Sequence, residues 1–367
     1  MTLLHRCLAI SAIIFISFAP CALAQDDSNG AAPDRPRVGL VLGGGGARGA
    51  AHIGVLKELE RQRIPIDAIA GTSMGAIVGG LYASGMSVEE LEELIGSLNW
   101  AEAFTDDSSR RDLRFRRKED DASFPAPIEI GFRDGNFLIP KGVIQGQKLG
   151  LILRELTLPA AMIDDFDDLP IPFRAVASDL GSGEPYVMDS GDLALAIRAS
   201  MSLPAVFSPV ELDGRVLVDG GLVSNVPVDA VRSMGVAVII AVDVEFPLYA
   251  PEELDSAVAI TAQVLTVLIR KETVRQLAEL DDDDVLIRPD LGLFGSSDFT
   301  AIAETVQPGA AATAAAADKL SDLALSEQQY QQHVAARVTQ DLPEERLAFV
   351  RVVDDGPFSS RVLHSRL

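Results

Sequence analysis

Val38-Gly39-Leu40-Val41-Leu42-Gly43-Gly44-Gly45-Gly46-Ala47-Arg48-Gly49 is the stretch from which the fold is read. An apolar run of five residues stops at four consecutive glycines, and from Ala47 to Arg63 the residues Ile53, Leu56 and Leu59 recur at helical spacing. This is strand, glycine loop, helix. Ile66 to Ala70 repeats the strand and is stopped by Gly71, after which Ala76 to Ser84 reads as an apolar helix with Gly85 at its C-terminal cap. Ser87 and Glu90 form a capping box ahead of Leu91, Leu94, Ile95 and Leu98, which share one helical face. Strands alternating with helices predict an α/β fold with a mainly parallel sheet covered on both sides.

Downstream, Thr105 to Gly135 is charged and interrupted, and it reads as a surface excursion over a substrate groove. It contains Arg110, Arg111, Arg114, Arg116, Arg117 and Lys118 with Leu113 and Phe115 between them. Two readings stand for that run: a solvated connector, or a peripheral contact with anionic lipid headgroups. Phe173 to Ser178 is the next strand. Asp213-Gly214 then joins Val210-Glu211-Leu212 to Arg215-Val216-Leu217-Val218 as a hairpin whose second arm delivers Asp219. Val236 to Val244 reads as a buried strand, 255–280 as a long helix, and Ala310 to Ala317 as helical by propensity.

The N-terminus carries an apolar core at residues 8–19 behind His5 and Arg6, followed by Ala22-Leu23-Ala24, a small-x-small pattern. That predicts a signal peptide over 1–24 and an exported protein located in the periplasm, at the outer membrane or outside the cell. Both cysteines, Cys7 and Cys21, fall inside this segment, so the predicted mature chain relies on its core rather than on disulfides or a cysteine metal site. Residues 25–36 read as a disordered leader, and 37–340 as one large α/β domain. A formal net charge of −23 argues against a nucleic-acid partner, because phosphate binding relies on basic clusters.

Gly71-Thr72-Ser73-Met74-Gly75 is a GxSxG pentapeptide between a strand and a helix, the setting of a nucleophile elbow. Gly71 and Gly75 leave room for the sharp turn, and Ser73 is exposed at a helix N-terminus that favours negative charge. The loop of Gly44, Gly45 and Gly46 offers backbone N–H groups for an oxyanion, with Arg48 as a fixed positive charge beside them. A rival exists in the same residues, since Gly44, Gly46 and Gly49 satisfy a dinucleotide-binding GxGxxG. That fingerprint needs an acid at the end of the following strand, whereas Asp67 lies at its start. No Gly-Lys-Ser or Gly-Lys-Thr follows the glycines, which excludes a P-loop.

A serine nucleophile needs a base. Of the four histidines, only His52 lies near these motifs, and its place just after the glycine loop suits support of the loop better than proton transfer. An aspartate held close and partly desolvated can take the proton directly. Asp219, at the end of an apolar strand and followed by Gly220-Gly221, fits that role, with Asp179 in reserve.

The glycine loop, the GxSxG and the Asp219-Gly220-Gly221 segment, in this order, resemble the patatin-like phospholipase family, as does Ala196-Ile197-Arg198-Ala199-Ser200-Met201-Ser202-Leu203-Pro204 before the last strand. The resemblance covers about residues 37 to 310. It implies a three-layer α/β/α fold, a Ser73–Asp219 dyad, an oxyanion site at Gly44, Gly45 and Gly46 with Arg48, and hydrolysis of phospholipid or lysophospholipid esters without metal or cofactor. Transfer of the acyl group to an alcohol is a close variant, and a non-catalytic lipid- or nucleotide-binding module on the same fold is the rival class. Leu347 to Val353 as a strand and Ser359 to Leu367 as an incipient helix resemble the start of a POTRA module over 341–367. This implies a longer form joined to an outer-membrane barrel, as in patatin passengers of type V secretion.

Overall fold

The computed structural model describes residues 35–337, apart from 107–130, 134–135, 139–141, 143, 205 and 246. The expected signal peptide at 1–24, the basic run at 110–118 and the segment 341–367, expected to begin a POTRA-like module, lie outside the described residues. Among those described, the strands are β1 (Val38–Leu42), β2 (Ala68–Thr72), β3 (Gly131–Arg133), β4 (Asn136–Leu138), β5 (Phe173–Asp179), β6 (Pro185–Met188), β7 (Val210–Leu212), β8 (Arg215–Asp219), β9 (Val238–Val242) and β10 (Val285–Ile287). Eight of them form one sheet in the order β10-β9-β1-β2-β5-β8-β7, with β6 also on β5, while β3 and β4 pair by themselves. β10, β9, β1, β2 and β5 run parallel, and β6 and β8 join β5 antiparallel. The mainly parallel sheet is therefore as expected, closed on one side by an antiparallel margin.

Strand periodicity divides the core into two layers. Leu40, Leu42, Ile69, Phe173, Ala175, Ile240 and Val242 face one cluster, and Val41, Ala68, Ala70, Val176, Ile239 and Ala241 face the other. On the first face lie α1 (Ala51–Arg61), α2 (Met74–Ala83) and α3 (Val88–Ser97), joined by α4 (Gln147–Leu156) and α5 (Leu193–Ser200). The opposite face is covered by the short helix Val228–Arg232 and by the C-terminal end of α6 (Ala257–Leu277). This makes three layers, α/β/α. Beyond them, α7 (Val306–Ala315) packs along α1, and α8 (Glu327–Arg337) ends the described chain.

Local signals that close on themselves hold. Ser87 and Glu90 exchange both capping-box bonds, Gly85 has φ +105, and the hairpin turns through Asp213 and Gly214 at φ 51 and 76. The second strand is displaced from its expected place, running Ala68–Thr72 rather than 66–70. Gly71 does not stop it, because Leu42 on one side and Ala175 on the other continue the ladder past the glycine. Helix α6 inverts the usual arrangement: it buries Thr266, Thr273 and Gln276 around Ile269, and it exposes Ile260, Val264, Val267, Leu268 and Val274.

Candidate active site

Ser73 stands between β2 and α2 with φ 55 and ψ −120, a backbone state that costs a side-chain-bearing residue about 1–3 kcal/mol. Its surroundings hold it there. The Ser73 N–H donates to Ser200 Oγ at 2.9 Å, whose hydroxyl donates to Val176 O at 2.6 Å, and Ser73 O accepts from Ala76 and Ile77. The elbow also needs its glycines, since a Cβ on Gly75 would lie 2.1 Å from Leu42 O and one on Gly71 2.4 Å from Gly75 O.

Register brings the acid to the serine. Thr72 pairs with Val176, and Asp219 pairs with Ala177, the next residue along β5, so Asp219 and Ser73 stand at one level across a single intervening strand. The Asp219 Oδ1 accepts the Gly221 N–H at 2.8 Å, and the Ser73 side chain lies near enough to the carboxylate to help hold its charged form. Burial pushes the Asp219 carboxyl up to about 6, against the pull of those two groups.

Around this pair, the glycine loop distributes its amides unevenly. Gly43 N–H donates to Val242 O and Gly44 N–H to Asn225 O, each at 3.1 Å, while Ala47 and Arg48 donate to Ser296 O and Gly45 O. Gly45 precedes the short helix that starts at Gly46, and Met74 is the first helical residue of α2, so their amides lie at helix starts. Gly44 thus differs from its expected part: its amide fastens the loop to Asn225.

A family model of patatin-like phospholipases matches residues 40–232, which contain Ser73, Asp219 and the glycine loop. The chain belongs to the patatin-like phospholipase family. Its curated relatives include an uncharacterized NTE family protein of Mycobacterium tuberculosis, 35% identical over 252 residues, which are 69% of this chain and 59% of that protein. Patatin-like phospholipase domain-containing protein 7 of Rattus norvegicus is 34% identical over 210 residues, 56% of this chain and 13% of the relative. The chain thus spans about three fifths of the length of the mycobacterial relatives. Among solved structures, VipD from Legionella pneumophila aligns over 83% of this chain and 73% of its own, with 15% identity and a TM-score of 0.41.

Arg48 of this patatin domain departs from the part assigned to it. Its guanidinium is buried and donates to Val244 O at 2.9 Å, to Gly292 O at 3.4 Å and to Phe294 O, so its charge is directed at carbonyls behind the loop rather than at an oxyanion. Desolvation lowers its pKa, opposed by Glu245, Asp243 and Asp290. His52 is fully buried on α1, with Nε2 2.7 Å from Gly43 O, and burial pushes its pKa down to about 4. It is a neutral donor that fixes the loop. Asp179 is held by the Gly181 N–H, by Arg215 Nη1 at 2.7 Å and by Ser182, which lower its pKa and leave it a poor base. The acid of the dinucleotide rival is engaged as well, since Asp67 Oδ2 accepts Val38 N–H at 2.7 Å.

Asn225 is a site residue that the sequence reading missed. Its backbone O takes the Gly44 N–H, and its Nδ2 donates at 3.2 Å to Thr273 Oγ1, whose own hydroxyl donates to Ile269 O. This fixes the amide orientation and turns Oδ1, buried without a partner, between Gly44 and Gly221. A Cβ on Gly44 would lie 2.7 Å from that oxygen and 3.2 Å from Ser73 Cβ, and one on Gly221 would lie 3.0 Å from Asp219 Oδ1 and 3.1 Å from Asn225 Oδ1. The only signal in the sequence was Ser224-Asn225-Val226-Pro227 after the double glycine, an uninformative turn composition.

Proposed function

We propose that this chain is a serine acyl hydrolase of phospholipid or lysophospholipid esters, and the placement of the strained Ser73 beside the buried Asp219 is the observation that carries the reading. Asp219 takes the Oγ proton as Ser73 attacks the ester carbonyl. The alkoxide that forms is met by the amides of Gly45, Gly46 and Met74, and each such donor is worth about 3–4 kcal/mol of barrier. Asp219 then gives its proton to the departing alcohol. Water enters and attacks the acyl-serine as it loses a proton to the same carboxylate, and Asp219 passes that proton to Ser73 Oγ as the fatty acid leaves, returning the enzyme to its first state.

A fluorophosphonate probe should label Ser73 in folded protein, and Ser73→Ala should abolish labelling; modification of another residue would dispose of the reading. Export is part of the same proposal, supported by the apolar run at 8–19 and Ala22-Leu23-Ala24. A mature protein beginning at Gln25 in the periplasm, the outer membrane or the medium is the expected result. A covalent link to an outer-membrane barrel rests on residues 347–367 alone, and an extended reading frame without barrel-like strands would remove it.

A further inference from the structure

The exposed face of α6 is more apolar than its buried face, and what covers it is legible from what lies beside it. β1, β9 and β10 run parallel, so the segments leaving them emerge at the same edge of the sheet as Ser73. After β9 come Leu248 and Tyr249, both more than two-fifths exposed, and the Tyr249 N–H donates to Gln263 on α6, between Ile260 and Val264. After β10 comes Leu293, 97% exposed. Its exposure is built rather than incidental. The buried Arg48 binds the carbonyls of Gly292 and Phe294, the residues on either side of Leu293, and Ala47 N–H binds Ser296 O, so the glycine loop itself holds this leucine outward.

We infer that this rim of Ile260, Val264, Leu268, Leu248, Tyr249 and Leu293 docks the enzyme on a zwitterionic phospholipid surface by inserting apolar side chains, so that Ser73 receives lipid from an aggregate. The inference rests on the acyl-hydrolase reading for its choice of occupant. Charge supports that choice: residues 257–268 hold no Asp, Glu, Lys or Arg in a chain of which 23% is charged, and basic residues resume only at Arg270 and Lys271. With a net charge of −23, the chain gains nothing overall from an anionic surface, whereas burial of apolar side chains is indifferent to headgroup sign. A second copy seated on the same rim would close the edge at which a chain-bearing ester must reach Ser73.

The test places a probe at the tip. Leu293→Trp, mixed with vesicles of phosphatidylcholine brominated in the acyl chains, should show blue-shifted emission that the bromines quench, whereas the buried Trp100 of the parent protein stays unquenched. Ile260→Glu with Val264→Glu should lower turnover of vesicle phospholipid about tenfold relative to turnover of a soluble short-chain ester. Soluble-ester turnover should be unchanged in that double variant. Unquenched emission from the Leu293→Trp variant would overturn the inference, as would binding confined to anionic vesicles and lost in salt, or a dimer whose contact protects α6. Absence of soluble-ester turnover in the parent protein would instead overturn the acyl-hydrolase reading, while quenching, repeated in a Ser73→Ala background, still decides docking.

Discussion

Burial holds the Asp219 carboxyl at about 6 against an ordinary 3.8, so under the proposed mechanism one proton governs both activity and stability. In the proposed mechanism the base must be ionised, so kcat/KM is expected to rise with pH through about 6 and then level, and Asp219→Asn should abolish ester turnover. His52 cannot supply that limb, because its neutral form persists down to about 4. Asn225→Asp tests the neighbouring orphan oxygen. A second carboxylate across Gly221 from Asp219 would raise the acid limb by about one pH unit or more through like-charge repulsion. An unmoved pH profile would show that Asn225 does not face the catalytic carboxylate.

Elements meet here through positions that admit no side chain. A Cβ on Gly54 of α1 would lie 1.8 Å from Val306 O, and one on Gly309 of α7 would lie 2.0 Å from Ala51 O, so the two helices touch backbone to backbone. Gly309→Ala should therefore destabilise the fold by about 1–3 kcal/mol, read by urea unfolding, while leaving the pH limb of activity in place. Gly75→Ala belongs to the same class but strikes the elbow, where the added Cβ would meet Leu42 O. The expected result is loss of fluorophosphonate labelling together with lowered stability. The capping box and the hairpin turn were legible in sequence because each closes within a few residues, and the β1 strand because its apolar run ends in adjacent glycines. By contrast, α4, α5 and the short β10 were not read, since their partners lie on elements distant in the chain.

Across the whole molecule, the two buried titrating groups oppose each other in pH. Asp219 is raised in the fold, so its charged form costs stability above about 6, a cost that disappears as pH falls below 3.8. His52 is lowered in the fold, so the stability it allows is full above 6.5 and is lost as pH falls towards 4. Each shift of two units or slightly more is worth about 3 kcal/mol, and over the window between 4 and 6.5 they nearly cancel. Asp219→Asn removes one side. That variant should be more stable than the parent by about 3 kcal/mol at pH 7 and equal to it near pH 4, as read by denaturant midpoints.

The sequence by itself determined the order of strands, glycine loop and elbow, the candidacy of Ser73 and Asp219, and the α/β class, because apolar periodicity and glycine placement are local properties of the chain. Only the tertiary structure decided which groups of the loop are tied to distant partners. Gly44 proved tied to Asn225, the Arg48 guanidinium turned to the carbonyls flanking Leu293, and His52 became a buried strut under Gly43. Those assignments depend on where distant backbone oxygens come to rest, and a hydrogen-bond donor's partner is a fact of three-dimensional distance that spacing along a chain does not encode.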